Sequence, residues 1–270
     1  MTKKELELKA TQIRKKTLEL IYKSKMGHVG GDMSIADILT VLYYKVMKLD
    51  PNNPKWEGRD YYVQSKGHAV ETLLTILSDK GFFTDEELST FGSFGSKYIG
   101  HPTNVVNGIE VNTGALGHGL SIAVGMAKGL KMDNKLNHVY CLMGDGEVAE
   151  GSIWEAAMAA SHYKLDNLTA ILDRNILQIS GKTEEVMSLE PLKDKWEAFG
   201  FEFIEIDGHD IGEIEKALLY RKDGKPILVL AKTVKGKGVS YMENNKSWHH
   251  GIPNQEQFDQ AMKEFDEVLT

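Results

Sequence analysis

The sequence has little of what several protein classes require. Its one cysteine, Cys141, cannot form an internal disulfide and lies in an apolar run that predicts a buried strand. Its four arginines are scattered and its net charge is −7, which argues against a nucleic-acid-binding surface. No apolar run approaches the ~18 residues that span a bilayer, and the charged start MTKKELELKA lacks the apolar core of a signal peptide. We therefore expect a cytoplasmic protein.

Strand-like and helical segments alternate along the chain. The runs YYVQS, HVYCLM, LTAILD, FEFIEI and PILVLAK are typical of buried strands, and amphipathic helical patterns separate them. This alternation predicts an α/β fold, a parallel sheet flanked by helices on both faces, over a single domain of residues 1–270. We expect Ser34 to cap the second helix, Asn254 to cap the last one, and the Gly-rich stretch 92–113 to be a functional loop.

The stretch from Cys141 to Gly181 carries the clearest chemical signal. Its first strand ends at Gly144-Asp145-Gly146, and its second ends just before Asn175, 30 residues after Asp145. One βαβ unit would bring both strand ends to the crevice where open α/β sheets bind ligands. Glycines allow close approach of a phosphate, and two hard oxygens plus a diphosphate suit octahedral Mg²⁺.

The residues GDGEVAEGSIWEAAMAASHYKLDNLTAILDRN resemble transketolase, and GDG followed by a distant Asn resembles the thiamine diphosphate fingerprint. The resemblance covers nearly the whole chain, whereas a full-length transketolase is more than twice as long. It implies the amino-terminal, diphosphate-binding subunit of a split transketolase, a transferase of carbohydrate metabolism and the pentose phosphate pathway. Such an enzyme moves a two-carbon ketol unit between ketose and aldose phosphates. The implied cofactors are thiamine diphosphate and Mg²⁺, with Ca²⁺ or Mn²⁺ as substitutes.

The same resemblance implies a partner subunit that carries the pyrimidine-binding domain. Because the chain ends at Thr270, soon after the elements that would bind the diphosphate, we expect it to be inactive alone. The expected assembly is a heterotetramer that contains each subunit twice, with an interface on the order of 2,000 Å² or more.

Nine histidines are present, and some of them lie in Gly-flanked loops. We expect ordinary structural roles for His138, His162 and His209. By resemblance, the catalytic residues are His28, His68, His101, His249 and Glu150. For the pair His249-His250, the Trp-His order favours His249 and the His-Gly order favours His250; we prefer His249. Glu150 would couple protons across the subunit interface, although an exposed carboxylate at a helix start is the simpler alternative.

The resemblance also implies the cofactor contacts. The expected metal ligands are Asp145, Asn175 and the Leu177 carbonyl. The expected cofactor-binding residues are His68, Gly114, Leu116, Gly144, Asp145, Gly146, Glu147, Asn175 and His249. The loop TGALG at 113–117 departs from the family pattern at Ala115, where proline is common, and His118 stands where glutamine is common.

Two other functions stay open on the sequence alone. In the first, the chain is a subunit of another split thiamine enzyme, such as a pyruvate dehydrogenase-like alpha chain. The GDGEVAEGSIWEAAMAA segment and the dispersed histidines favour transketolase over it. The other is a catalytically silent scaffold that keeps the fold and binds cofactor or partner only. The Asp145 and Asn175 pair argues against complete silence.

Overall fold

A five-stranded parallel sheet forms the centre of the computed structural model, which describes residues 1–270. The strand order is β1-β2-β3-β7-β6, and a short antiparallel hairpin, β4-β5, follows β3. The strands are β1 (Tyr61–Gln64), β2 (Val139–Gly144), β3 (Leu168–Arg174), β4 (Leu177–Gln178), β5 (Gly181–Lys182), β6 (Glu202–Asp207) and β7 (Ile227–Lys232). The predicted parallel α/β fold is confirmed.

Ten α-helices surround the sheet. They are α1 (Lys3–Ser24), α2 (Val29–Val41), α3 (Val70–Asp79), α4 (Asp85–Leu88), α5 (Gly119–Met132), α6 (Gly151–His162), α7 (Thr183–Val186), α8 (Leu192–Ala198), α9 (Ile211–Leu219) and α10 (Gln255–Leu269). Asn254 caps α10 as expected. None of these helices has the length and apolarity needed to cross a membrane.

The sheet separates two apolar layers because successive side chains of a strand point to opposite faces. In β2, Tyr140 and Leu142 pack into one buried cluster with residues of α1, α2, α3 and α9. Cys141 and Met143 point into the other cluster, with residues of α5, α6 and α8. The prediction of a buried cysteine is confirmed, and full burial of each large apolar side chain contributes roughly 1.5–3 kcal/mol.

The start of α2 differs from the prediction. The helix begins at Val29, with His28 as the residue before it, so Ser34 lies inside the helix and does not cap it. The Ser34 hydroxyl lies 3.0 Å from the Gly31 carbonyl and 2.8 Å from Asp173 Oδ2, and it donates its one hydrogen to one of these two acceptors. The reason is packing: every residue of α2 is buried, so tertiary contacts extend the helix back through its glycine pair.

The strand register brings several polar loops to one edge of the sheet. Gly144 at the end of β2 lies beside Asp173 of β3, and β7 runs parallel to β3 on the other side. Consequently the loops after β1, β2, β3 and β7 all open at the same edge. The irregular segment 92–113 contains no helix or strand, as expected, and leads into the loop at 113–117.

Candidate functional site

A cavity of about 290 Å³ opens at the carboxyl ends of β1, β2, β3 and β7. All but two of the residues expected at a site line it: His28, His68, Gly114, Leu116, Gly144, Asp145, Gly146, Glu147, Asn175, Leu177 and His249. The two exceptions are His101 and Glu150. The volume lies at the small end of ligand pockets, about 300–1,000 Å³.

Two lysines that the sequence analysis did not single out lie in the cavity wall. Lys66 follows β1 and is 1% exposed, and its Nζ contacts Asp173 Oδ2 at 2.7 Å and the Gly31 carbonyl at 2.9 Å. Lys235 follows β7 and is 2% exposed, but its Nζ contacts only the Leu177 carbonyl, at 3.3 Å. Burial, then repulsion from Lys66, lowers the pKa of Lys235 to about 8. A buried ammonium group without a carboxylate partner favours an anion.

Strand-end reasoning could have identified both lysines, because each lies within three residues of a predicted strand. Lys66 occurs in SKGH after YYVQS, and Lys235 occurs in TVKGKG after PILVLAK. The signal was missed because lysine is usually a surface residue. Arg174, at the end of β3, was missed for the same reason.

Asp145 and Asn175 meet at the adjacent ends of β2 and β3. Asp145 Oδ1 accepts a hydrogen bond from the Gly146 amide at 2.8 Å, and Oδ2 accepts from the Ile176 amide at 2.6 Å. Arg174 Nη1 also lies 3.2 Å from Asp145 Oδ2. Burial, followed by the neighbouring Asp173 carboxylate, raises the pKa of Asp145 to about 6. A cation at this carboxylate would favour its ionised form.

The orientation of the Asn175 amide follows from its neighbours. Its Nδ2 donates to Asp173 Oδ2 at 2.9 Å, so Oδ1 faces away from that carboxylate and accepts from the Leu177 amide at 3.1 Å. The Leu177 carbonyl accepts from Lys235, so a metal ion there would have to displace this donor. No group of three or more His, Cys, Asp or Glu side chains is arranged to hold a metal ion. Two side-chain oxygens and a carbonyl therefore suit only an ion that takes its other ligands from phosphate and water.

Glu147 lines the cavity, but its carboxylate is engaged by the protein. One oxygen accepts from the Ser65 hydroxyl and from the Gly117 amide at 2.9 Å, and the other accepts from the Gly144 amide at 3.0 Å. These bonds tie the end of β1, the loop 113–117 and the end of β2 together. The structure therefore indicates that Glu147 supports the walls of the site, and its expected contact with a cofactor stays a prediction.

Four imidazoles cluster at the opening of the cavity. The His28 ring centroid lies 5.1 Å from that of His68, 5.8 Å from that of His249 and 4.7 Å from that of His250. His249 lines the cavity and has a buried Nδ1 without a hydrogen-bond partner, whereas His250 is exposed and does not line the cavity. Both histidines of the ambiguous pair therefore lie near His28, and His249 is the one that faces the cavity.

Burial keeps His28, His68 and His249 neutral at physiological pH. It is the largest cause that lowers the pKa of His28 to about 4, of His68 to about 2 and of His249 to about 3, and the lysines and neighbouring imidazoles add to it. A bound anion would raise these pKa values, since it would offset the two lysines.

His101 and Glu150 lie outside the cavity, next to loops that reach it. The His101 ring packs against Gly114, where a Cβ atom would come within 2.8 Å of its Cδ2, and Gly114 has a φ of 145° that favours glycine. Glu150 is exposed at the start of α6 and packs against Gly117. Their predicted roles stay predictions.

His209 has the structural role that was expected of it. Its Nε2 accepts from the Val234 amide at 2.9 Å, so its Nδ1 carries the proton and donates to Asp37 Oδ2 at 2.7 Å. Asp37 also pairs with Arg14 of α1. This buried chain of contacts holds the loop after β7, which carries Lys235.

The residues of the cavity fit a diphosphate that binds with a divalent cation. Lys235 lacks a charge partner, His249 Nδ1 lacks a hydrogen-bond partner, and Gly144 and Gly146 leave room for close approach. Asp145 and Asn175 supply hard oxygens at the same wall.

Comparison with known proteins gives a consistent result. A family described as "Transketolase, thiamine diphosphate binding domain" matches residues 6–265. A protein of Phocaeicola vulgatus that is named as a subunit of apulose-4-phosphate transketolase is 53% identical over 266 residues, which cover 98% of this chain and 95% of that protein. The 6-deoxy-6-sulfo-D-fructose transketolase subunit of Clostridium sp. is 44% identical over 265 residues, which cover 97% of this chain and 96% of that protein.

Longer transketolases match only in part of their length. Human transketolase is 38% identical over 241 residues, which cover 89% of this chain and 38% of that protein. The crystal structure of transketolase from Campylobacter jejuni superposes with a TM-score of 0.92 at 36% identity, covering 98% of this chain and 43% of that one. This chain thus spans less than half of the longer transketolases and nearly all of the subunit-length ones.

Proposed function

This chain belongs to the transketolase family, through its thiamine diphosphate-binding domain, and we propose that it is the amino-terminal subunit of a split transketolase. The observation that carries this proposal is the cavity in which two buried lysines, Asp145, Asn175 and a histidine cluster meet at four strand ends. The names of the relatives that match along their whole length, which describe them as subunits, support it. They also favour it over a pyruvate dehydrogenase-like alpha chain.

Thiamine diphosphate, when bound, supplies the carbanion stabilisation needed to break a carbon–carbon bond next to a ketose carbonyl. Lys66 and Lys235 would hold the diphosphate by charge, and Gly144 and Gly146 would let it approach the backbone. Asp145, Asn175 and, after release of Lys235, the Leu177 carbonyl would hold Mg²⁺ against it. Gly114 and Leu116 would contact the rest of the cofactor.

The histidines would act on the substrate and not on the diphosphate alone. His28, His68 and His249 are neutral, so each ring can donate one hydrogen bond and accept another, as orientation of sugar hydroxyls requires. His101 would reach the substrate from the rim. Glu150, exposed beside Gly117, would meet the partner chain and couple protons across the interface.

A partner subunit would complete the site. Several apolar side chains around the cavity rim are exposed, including Leu116 at 36%, Ile176 at 47% and Ile179 at 70%, as expected of a surface that another chain covers. We propose a heterotetramer with two copies of each subunit, in the cytoplasm.

The substrate class is a ketose or aldose that carries a terminal anion. One relative is named for apulose 4-phosphate and another for 6-deoxy-6-sulfo-D-fructose, which carry a phosphate and a sulfonate. We propose xylulose 5-phosphate, apulose 4-phosphate and 6-deoxy-6-sulfofructose as the donors to compare.

The test combines this chain with its candidate partner, thiamine diphosphate and Mg²⁺, and measures ketol transfer from each donor to an aldose phosphate. We expect turnover only when both chains are present. Full turnover by this chain alone would refute the split-subunit proposal. Tight cofactor binding by the assembled pair without transfer from any donor would instead support the silent scaffold.

A further inference from the structure

Two carboxyl groups lie side by side in the protein interior behind the cavity. Asp32, in the first turn of α2, and Glu71, in the first turn of α3, are both 0% exposed and lie within hydrogen-bonding reach of each other. Three of their four oxygens, Asp32 Oδ2 and both oxygens of Glu71, have no donor in the protein. The fourth, Asp32 Oδ1, accepts from the Thr72 amide at 2.7 Å.

No cation compensates two negative charges at this position. Lys66 is the cation that lowers the pKa of Asp32, and its ammonium group is engaged by Asp173 and the Gly31 carbonyl. Burial raises the pKa of both carboxyl groups, and their mutual repulsion raises that of Glu71 further. Two buried carboxylates in contact cannot both ionise, so one proton must lie between them at neutral pH.

The pair joins the two helix starts that present histidines to the cavity. His28 immediately precedes α2, and His68 lies one residue before Ala69, the residue that precedes α3. The backbone amide of His28 faces the Glu71 carboxyl group and acts to lower its pKa. It does not form a hydrogen bond with either Glu71 oxygen. Gly27 allows this close packing, since a Cβ atom there would lie 3.1 Å from Glu71 Oε1.

We propose that Asp32 and Glu71 share one proton, and that this O–H···O bridge between α2 and α3 positions His28 and His68 in the cavity. Asp32 and Glu71 are thus positioning residues, which act on substrate only through the two histidines. The positioning part rests on the proposed function, whereas the shared proton does not.

The first experiment tests the shared proton through the stability of the full chain. The folded pair keeps a proton that the unfolded chain loses above about pH 4.3. The contribution of this proton to the free energy of unfolding is therefore complete below that pH and declines as the pH rises. Glu71→Gln supplies a permanent N–H donor to Asp32 and removes this dependence. From pH 5 to 7 we therefore expect the unfolding equilibrium constant of the wild type to rise by up to tenfold per pH unit relative to Glu71→Gln.

The control is Glu86→Gln, which changes an exposed carboxylate of α4. It should follow the wild type at every pH. Parallel curves for the wild type and Glu71→Gln would overturn the shared proton.

The second experiment tests positioning. Glu71→Leu removes the bridge and leaves Asp32 as an unpaired buried acid. If Glu71→Leu does not fold, Asp32→Ser removes the bridge from the other side. We expect both to shift the ring NMR signals of His28 and His68 and, in the assembled enzyme, to lower kcat/KM at least tenfold. Glu71→Gln should retain the ring signals and keep kcat/KM within about threefold.

Unchanged ring signals in the disruptive variants would overturn the positioning role. An inactive wild-type assembly would count against the proposed function, but it would leave the NMR and stability results interpretable. The two proposals can therefore fail separately.

Discussion

Replacement of Lys235 by methionine tests the electrostatics of the cavity most directly. The side chain is 2% exposed, and its pKa falls from the ordinary value near 10.4 to about 8. Each pKa unit corresponds to about 1.4 kcal/mol, so the protonated form costs roughly 3 kcal/mol in the folded chain without ligand. Lys235→Met keeps the length and removes the charge. We expect the free variant to be more stable than the wild type at pH 7 by up to that amount.

The lowered pKa of Lys235 also predicts how the stability of the wild type changes with pH. Between about pH 8 and pH 10.4 the folded lysine has lost its proton while the unfolded one still binds it, so wild-type stability should rise with pH. The methionine variant should lack this rise. Urea titrations at pH 7 and at pH 10 measure the free energy of unfolding of the wild type and of the variant. An equal pH dependence in the two proteins would refute the assignment of a buried, uncompensated ammonium group to Lys235.

Anion binding should change in the opposite direction from stability. At an effective dielectric constant near 20, a lysine about 4 Å from a phosphate charge contributes about 4 kcal/mol. We therefore expect Lys235→Met to weaken binding of inorganic pyrophosphate at least about 10²-fold by calorimetry. The control is Lys232→Met, three residues before Lys235 in sequence. It removes an exposed ammonium group that pairs with Glu205. Equal affinity in both variants would contradict the assignment of Lys235 to the anion.

Three further predictions concern the metal, the histidines and the support behind them. Asp145→Asn and Asn175→Ala should each abolish Mg²⁺-dependent retention of thiamine diphosphate by the assembled enzyme without unfolding it; unchanged affinity by calorimetry would remove the metal assignment. Alanine at His28 or His68 should lower turnover about 10²-fold or more with little change in Tm, and the reverse pattern would make them core histidines. Asp37→Asn should destabilise the chain by about 3–5 kcal/mol in a urea titration, because it leaves the buried Arg14 without its charge partner. A loss of stability below about 1 kcal/mol would contradict that pairing.

The part of the site that could be predicted from sequence lies within one βαβ unit. Asp145 and Asn175 follow consecutive strands, and consecutive parallel strands are commonly neighbours, so local reasoning was sufficient to bring them together. Its position after a predicted strand makes Lys235 a candidate in the same way, but its place beside these two residues could not be predicted. The strand before it, β7, comes after β6 in sequence but lies between β3 and β6 in the sheet, and no local pattern indicates that insertion.

The acid pair could not be predicted for a related reason. Asp32 and Glu71 each occupy an ordinary first-turn position, where a carboxylate is favoured by the helix dipole and is usually exposed. Only the packing of α2 against α3 reveals that both are buried and face each other. The supporting hydrogen bonds of Glu147 could not be predicted for the same reason, since its three donors come from three separate segments.

The charge balance of the whole chain gives no guidance about the cavity, and the structure explains why. A chain of net charge −7 would repel a diphosphate at long range, yet exposed charges are screened beyond about 8 Å at physiological ionic strength. Buried charges are screened far less, so Lys66 and Lys235 determine the local field. Lys66 is largely neutralised by Asp173, which leaves Lys235 as the uncompensated charge. Affinity for an anion therefore depends on which buried lysine lacks a carboxylate partner, and composition does not contain that information.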